Sequence, residues 1–297
     1  MIALQHSAPR QPQVSIPYRA PGEFLYGSDL HAQRFVIDSA LPQRLLTSGG
    51  MQLNIPACAF MSRDRKRRVF GEVEIVLTEL YTLADMLLFG RPTTANGSLL
   101  EAAAQFHVQA FQSGHPLEVA LPIQVRLSST DLFQKPQRLL LFSGGASAIR
   151  SISGQPAFDW NLASSLLFGH SNDALYQFQI DRCGWWSCQK PHRSKSRRVM
   201  MSVRIGEDRE ISRHLDAFLV FQDIPSIVRL YPGMHGFTAL NIPEGLQASV
   251  FIFGTHSEQL YAGQSAREYT ANRVLNVAVN PGRKEVIRQL LGQVTEG

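Results

Sequence analysis

The sequence is short of cysteine and of long apolar runs. Three cysteines among 297 residues cannot form a disulfide scaffold, so the fold must rest on a hydrophobic core. No apolar stretch reaches the ~18 residues of a membrane-spanning helix, and residues 1–20 lack the basic-then-apolar pattern of a signal peptide. With 44% hydrophobic and 18% charged residues, the composition is typical of a globular protein.

The familiar catalytic and nucleotide-binding motifs are missing as well. The chain has no Walker A loop, no G-x-G-x-x-G, no H-E-x-x-H and no G-x-S-x-G nucleophile elbow. Among its 24 acidic residues, no spacing singles out a pair for glycoside hydrolysis. We therefore predict no catalytic residues and no cofactor, and a hydrolase with an unrecognised site stays an alternative.

What the chain does have is the alternation of apolar and polar residues that is typical of strands. Val73, Ile75 and Leu77 share one parity, and similar runs recur at about 8–12-residue intervals between Gly and Pro turns. Asn96-Gly97 is the strongest short turn signal, and we predict a positive φ at Gly97. The pattern favours a mainly β fold built from sandwiches.

Three short motifs resemble a known family. They are G-G-x-x-L-x-I at 49–55, T-x-x-N-G-x-L-L-E at 93–101, and an aromatic strand that runs into G-W-x-x-C at 184–188. Together they resemble the ZU5-type β domain, and the resemblance is closest to uncharacterised bacterial relatives with a G-W-I-N-C motif. In this chain, Trp186 and Ser187 stand where that motif has Ile and Asn. The resemblance covers roughly residues 35 to 190. It implies a β fold and an envelope or secreted location, but no chemistry, and the His-Phe-Ser motif of self-cleaving members is absent.

We predict four parts along the chain. A flexible N-terminal arm spans residues 1–23, and a ZU5-like β-sandwich spans 24–170. A second, Ig-like β-sandwich spans 171–280. The segment 281–297 holds a short amphipathic helix, because apolar residues between Glu285 and Val294 follow a helical stripe.

The sequence predicts structural roles for two residues, and it offers three weak candidates for metal ligands. We expect Asp85 to fix the corner after an early strand through hydrogen bonds, and Trp185 to anchor the core of the second module. Cys183, Cys188 and His192 have C-x4-C-x3-H spacing, but structural zinc sites usually take four ligands and no second pair completes this one. We interpret them as free thiols and a loop histidine, and we predict no metal.

Two basic segments supply the candidate interaction residues, in a chain of formal net charge +5. Their cations are Arg63, Arg65, Lys66, Arg67 and Arg68, and then Arg193, Lys195, Arg197 and Arg198. We interpret both as solvated turns. The alternative is a single phosphate-binding surface made by both segments, with bases stacked on Trp185 and Trp186.

The predicted function is therefore non-enzymatic. We expect a protein-binding scaffold, or a component of a larger envelope or surface assembly, with unknown protein partners and with self-association open. The alternatives are the hydrolase and a nucleic-acid-binding module that uses both basic segments. Location is also open: the resemblance implies the envelope or secretion, whereas a complete chain without a signal peptide would stay in the cytoplasm.

Overall fold

The described part of the chain is mainly β, as predicted. The computed structural model describes residues 31–64, 67–128, 138–150, 156–164, 168–170, 175–206, 214–233, 236–257 and 259–295. The predicted arm, residues 1–23, lies outside this part, as do Arg65 and Lys66. The described residues form 23 strands and two helices, and the strands assemble into three sheets.

Two sheets from the first part of the chain pack face to face as a sandwich. Sheet 1 has the order β1-β5-β7-β14-β10-β11, with β4, β6 and β8 attached, and sheet 2 has the order β12-β13-β9-β3-β2. Between them lies the first core, which includes Val73, Ile75 and Leu77 of β5. The strands are β1 (Ala32–Asp38), β2 (Gln43–Leu46), β3 (Gln52–Ile55), β4 (Phe60–Ser62), β5 (Glu72–Leu80), β6 (Thr94–Ala95), β7 (Ser98–Gln112), β8 (His115–Val119), β9 (Ile123–Ser128), β10 (Leu140–Arg150), β11 (Pro156–Ser164), β12 (Phe168–His170), β13 (Leu175–Ile180) and β14 (Gly184–Pro191).

Sheet 3 follows, with the order β22-β15-β18-β17-β16-β19-β20-β23 and β21 on β19. One of its faces encloses the second core, which includes Val203, Leu219 and Val250. Because this core takes residues from β22 as well as β19, the sheet curls around it. The strands are β15 (Arg198–Arg204), β16 (Leu215–Phe221), β17 (Ile227–Gly233), β18 (Gly236–Pro243), β19 (Gln247–His256), β20 (Gln259–Gln264), β21 (Glu268–Tyr269), β22 (Arg273–Asn276) and β23 (Asn280–Gly282).

A short helix, α1 (Leu83–Leu88), turns the chain after β5. Thr82 caps it: the Thr82 hydroxyl accepts from Asp85 N at 3.1 Å, and Asp85 Oδ2 accepts from Thr82 N at 3.3 Å. This reciprocal pair satisfies backbone donors that the first helical turn leaves free. Asp85 thus takes a structural position at the corner after a strand, and its other oxygen lies 3.1 Å from His31 Nε2.

The predicted C-terminal helix is present as α2 (Lys284–Thr295). Its Ile287 and Val294 are buried in a third apolar cluster, which we call the junction. Phe218 and Val220 of β16 face the junction, whereas Leu219 between them faces the second core. Sheet 3 is therefore covered on both faces along β16, by its own core on one side and by α1, α2 and the end of β5 on the other.

Buried hydrogen bonds cross the same junction. Thr93 N donates to Ile227 O at 2.7 Å, and Ser226 Oγ donates to Leu100 O at 2.7 Å. The hydroxyls of Thr93 and Ser226 lie 2.7 Å apart, and both side chains are buried. Since a buried polar group without a partner costs about 1–3 kcal/mol, these contacts hold the two halves in one arrangement.

The sheets change farther along the chain than the predicted boundary at 170/171. β13 pairs with β9, and β14 inserts between β7 and β10. The sandwich of sheets 1 and 2 therefore extends to Pro191, and sheet 3 begins at Arg198. Alternation along β13 and β14 predicts two strands, but it does not say which strands they pair with.

Candidate functional site

The two tryptophans of β14 lie on opposite faces of sheet 1. Trp186 is buried in the first core at 2% exposure, whereas Trp185 is only partly buried on the outer face. The sequence predicts Trp185 as the anchor of a second module, and the structure places it instead on a strand of the first sandwich. β14 pairs with β7 and β10 of this sandwich, and alternation along the chain does not show that pairing.

Trp185 belongs to a stack of flat groups. Its ring is stacked on His107 with centroids 4.7 Å apart, and the Arg91 guanidinium lies 4.4 Å from the Trp185 centroid and 4.2 Å from that of Phe158. Burial, and then the nearby Arg91 charge, lower the pKa of His107 to about 4. His107 is therefore neutral at pH 7, and both faces of the Trp185 ring are in contact with other groups rather than free for a base.

The three weak metal candidates are not brought together. Cys183 precedes β14 and His192 follows it, so the extended strand holds them roughly 30 Å apart. Cys188 lies between them, fully buried in the first core, where burial raises its thiol pKa. In the described ranges no group of three or more His, Cys, Asp or Glu side chains is placed to hold a metal ion. All three cysteines are free thiols.

His192 takes part in a partly buried polar cluster instead. Its Nδ1 lies 2.8 Å from Glu101 Oε1, and Lys190 Nζ lies 2.9 Å from Glu101 Oε2. Glu101 and Lys190 sit opposite each other on β7 and β14. The cluster balances charge where β7 passes from the first core toward Leu99, which is buried in the second core.

A second buried carboxylate fastens the turn after β2. Glu79 accepts hydrogen bonds from Tyr81 Oη at 2.5 Å, Thr47 Oγ1 at 2.7 Å and Gln33 Nε2 at 2.7 Å. Burial and the Glu79 charge raise the pKa of Tyr81 above its ordinary value. A Cβ on Gly49 would lie 2.3 Å from the Tyr81 ring, so this position requires glycine. The double-glycine motif thus has a structural explanation.

The Asn96-Gly97 pair forms the two-residue turn between β6 and β7. Asn96 has φ 48° and Gly97 φ 73°, the left-handed values that a tight hairpin of this type needs. Asn241 Nδ2 of β18 donates to Gly97 O at 2.7 Å, and Asn96 N donates to Asp159 Oδ2 at 2.9 Å. The turn thus contacts both halves of the molecule.

The two basic segments lie at opposite ends of β7. Arg63 lines a cleft near the point where β8 pairs with Phe111, whereas the second segment follows Pro191, which pairs with Leu100. Leu100 and Phe111 are separated by roughly 35 Å along an extended strand of about 3.3 Å per residue. Arg63 and the start of the second segment therefore adjoin different ends of β7.

The first segment closes a hairpin. Ser62 N donates to Arg67 O at 3.0 Å, and Val69 N donates to Phe60 O at 3.2 Å. Arg63, Arg67 and Arg68 are exposed. A solvated turn accounts for the polarity of these three residues.

The cleft beside Arg63 has a volume of about 410 Å³. Glu118, Asp181 and Arg182 line it, together with Cys183. Burial raises the pKa of the Cys183 thiol to about 11, so this thiol is protonated at pH 7 and is a weak nucleophile. The cleft offers charges of both signs and no activated thiolate.

The outer face of sheet 3 carries an exposed apolar patch, which we define as Met200, Leu240 and Val274. These side chains are 45%, 68% and 47% exposed, values that place them in solvent rather than in either core. They lie on β15, β18 and β22, which are adjacent strands. Met200 falls at the bulge opposite Leu240, and Val274 lies beside Ser202, two residues from Met200 on the same face.

Cations surround the apolar patch. Arg198 and Arg204, at the two ends of β15, are exposed on the same face. Arg193, Lys195 and Arg197 are exposed on the segment that leads into β15. The half-buried Glu244 lies beside them, and its backbone N donates to Arg197 O at 2.9 Å. The second basic segment is therefore the rim of an apolar surface.

Sequence reasoning missed the patch although a signal for it exists. Val199, Met201 and Val203 give β15 its buried parity, so an apolar Met200 between them occupies a position that normally holds a polar residue. Leu240 beside Ala239 breaks the alternation in the same way. An apolar residue on the outward parity of a strand is the pattern to look for.

No protein-family model matches the chain, and no curated protein is significantly similar to it in sequence. None of the described helices is long and apolar enough to cross a membrane.

Proposed function

We propose that this is a non-enzymatic interaction protein, a scaffold or component of a larger assembly, whose apolar patch binds an acidic protein partner. The observation that carries the proposal is the exposed triplet of Met200, Leu240 and Val274 on three adjacent strands. Covering it would release hydrophobic free energy on the order of 3 kcal/mol. That is enough for the central anchor of an interface, although not for a whole one.

The charge around the patch favours an acidic partner. Among the described residues, Arg198, Arg204 and the segment from Arg193 to Arg197 form a cationic rim beside the half-buried Glu244. A partner that presents apolar side chains flanked by Asp or Glu matches both features. Charges at a rim act mainly on the association rate and on specificity, and their effect weakens with salt.

Nucleic acid is the weaker candidate at this surface. The patch side chains are aliphatic and lack the ring faces on which bases stack. The first basic segment, which would extend a phosphate-binding track, lies at the far end of β7.

A photo-cross-linking residue at position 240 tests the proposal in extract from the source cell. We expect the probe to capture a defined protein. When the chain also carries Arg198→Glu and Arg204→Glu, the amount captured by the same probe should fall at least tenfold. A matched probe replaces Leu162, which is 58% exposed on β11 of the other half. It should not capture that protein. Equal capture from both positions, or recovery of nucleic acid in place of protein, would contradict the proposal.

A competition experiment separates the apolar contribution from the charges. Unlabelled wild-type chain and Leu162→Glu should compete for the captured partner equally well, whereas Leu240→Glu should not compete. Undiminished competition by Leu240→Glu would show that the patch does not bind it.

A further inference from the structure

β1 is the longest regular strand at the edge of a described sheet. It pairs with β5 over seven consecutive residues, from Ala32↔Thr78 to Asp38↔Glu72, without a register shift. β11, at the other edge of sheet 1, has nine residues, but its pairing with β10 is interrupted by register shifts. The remaining edge strands β2, β12, β22 and β23 have at most four residues. Within the described ranges no strand pairs with the outer side of β1.

β1 lacks several of the features that keep edge strands apart, although it carries the charged side chains Arg34 and Asp38. Such strands are usually protected by proline, by lysine, by a bulge or by short length. β1 reads AQRFVID and has none of these. Its Val36 is 69% exposed on the outer face of sheet 1. Within the described ranges the outer side of the strand has no strand partner, and an apolar residue lies near its centre.

The sequence of β1 is complementary to itself. In an antiparallel pair centred on Val36, Arg34 of one copy lies opposite Asp38 of the other, and Phe35 lies opposite Ile37. The interface thus contains two Arg34–Asp38 pairs, one on each side of a central Val36–Val36 contact. A pair centred on Phe35 would instead set Arg34 opposite Val36 and Asp38 opposite Ala32. Of these two registers, only the first sets each charged residue of β1 opposite a charge of the other sign.

We propose that two copies of this chain associate through β1, antiparallel about Val36, and so join two copies of sheet 1 into one continuous sheet. A twofold axis requires an interface that matches itself, which a strand of arbitrary sequence does not offer. Arg34 already lies 2.8 Å from Glu74 on β5, so Asp38 of the second copy extends an existing pair into a row of three charges. The inference is independent of the apolar patch and of its partner.

Sedimentation velocity and native mass spectrometry of the full chain test the association. Across the micromolar range we expect a dimer. Arg34→Asp sets two like-charged pairs in the interface, as does Asp38→Arg, and each should weaken the dimer about tenfold or more. The double variant Arg34→Asp/Asp38→Arg restores opposite charges and should recover the dimer. A wild-type monomer throughout, or a dimer that ignores the single charge changes, overturns the proposal.

A cross-link fixes the register. Directly opposed strand residues have Cβ atoms about 4.5–5.5 Å apart, so Val36→Cys should form an intermolecular disulfide with itself under mild oxidation. Val274→Cys, exposed on a different sheet, is the matched control and should not cross-link in this way. Wild type supplies the background from its own three cysteines. Far-UV circular dichroism confirms that each variant folds, and a folded Val36→Cys chain that fails to cross-link contradicts the register.

Discussion

The two ends of sheet 3 carry similar apolar residues on their outer faces but differ in what covers them. At one end Phe218 and Val220 of β16 are completely buried by α1, α2 and the end of β5. At the other end Met200, Leu240 and Val274 face solvent. Since the same sheet shows what a covered outer face is like, the exposed end stands out as a surface without an intramolecular cover in the described part of the chain.

The outer face of sheet 1 resembles the covered end and adds polar groups to it. Arg91 lies between Trp185 and Phe158, and His107 stacks on the far side of Trp185. The covered faces therefore hold aromatic rings and a neutral histidine, whereas the apolar patch is aliphatic with cations only at its rim. The covered faces and the apolar patch therefore differ both in burial and in the type of side chain.

The largest expected loss of stability comes from a substitution at the covered end of sheet 3. Phe218→Ala removes a fully buried ring from the junction and should lower the free energy of unfolding by about 3–5 kcal/mol. Leu240→Ala at the exposed end should change it by less than about 0.5 kcal/mol. Urea denaturation followed by fluorescence measures both values. Similar losses in the two variants would mean that the patch is structural.

A smaller effect should appear as pH falls. The pKa of His107 is about 4 in the folded protein against 6.5 in the unfolded chain, so the unfolded state binds more protons between these values. Stability should therefore fall by roughly 3 kcal/mol as pH drops from 6.5 to 4, and the contribution of this group to the slope fades over about one pH unit above 6.5. Thermal melts across pH measure the slope. His107→Gln cannot take up this proton, so its loss of stability between pH 6.5 and 4 should be smaller than that of wild type by roughly 3 kcal/mol. Equal slopes would show that His107 is accessible to water.

The smallest effect concerns the turn that touches both halves. Gly97 has φ 73° and open space where a Cβ would lie, so replacing it adds backbone strain without a clash. Gly97→Val should destabilise by about 1 kcal/mol or more, whereas Gly97→Asn, which tolerates this conformation better, should cost less. The melting temperatures of the two variants measure this difference. If they are the same, the positive φ of Gly97 does not explain the cost of replacing it.

Local patterns predicted the elements and the fold class well. Alternation at Val73, Ile75 and Leu77 gave a strand, the apolar stripe near Val294 gave the C-terminal helix, and Asn96-Gly97 gave a tight turn. Each of these signals depends on residues close together in the chain. The division into domains at residue 170 and the ZU5-like identity stay predictions.

These local patterns do not predict which distant strands pair with each other. Parity puts Trp185 and Trp186 on opposite faces of a strand, but only the insertion of β14 between β7 and β10 decides what each face meets. The same limit hid the separation of the basic segments, because no local pattern shows that Arg63 and Arg198 lie at different ends of the molecule.

The late position of β14 in the chain has a consequence for biosynthesis. Ala104 and Cys188 are neighbours in sheet 1, but more than eighty residues separate them along the chain. A nascent chain that stops short of Gly184 leaves β7 and β10 with open edges, and open edges invite pairing with other chains. The first sandwich therefore completes only after the ribosome has released Pro191, and the edges of β7 and β10 that β14 will join stay open until then.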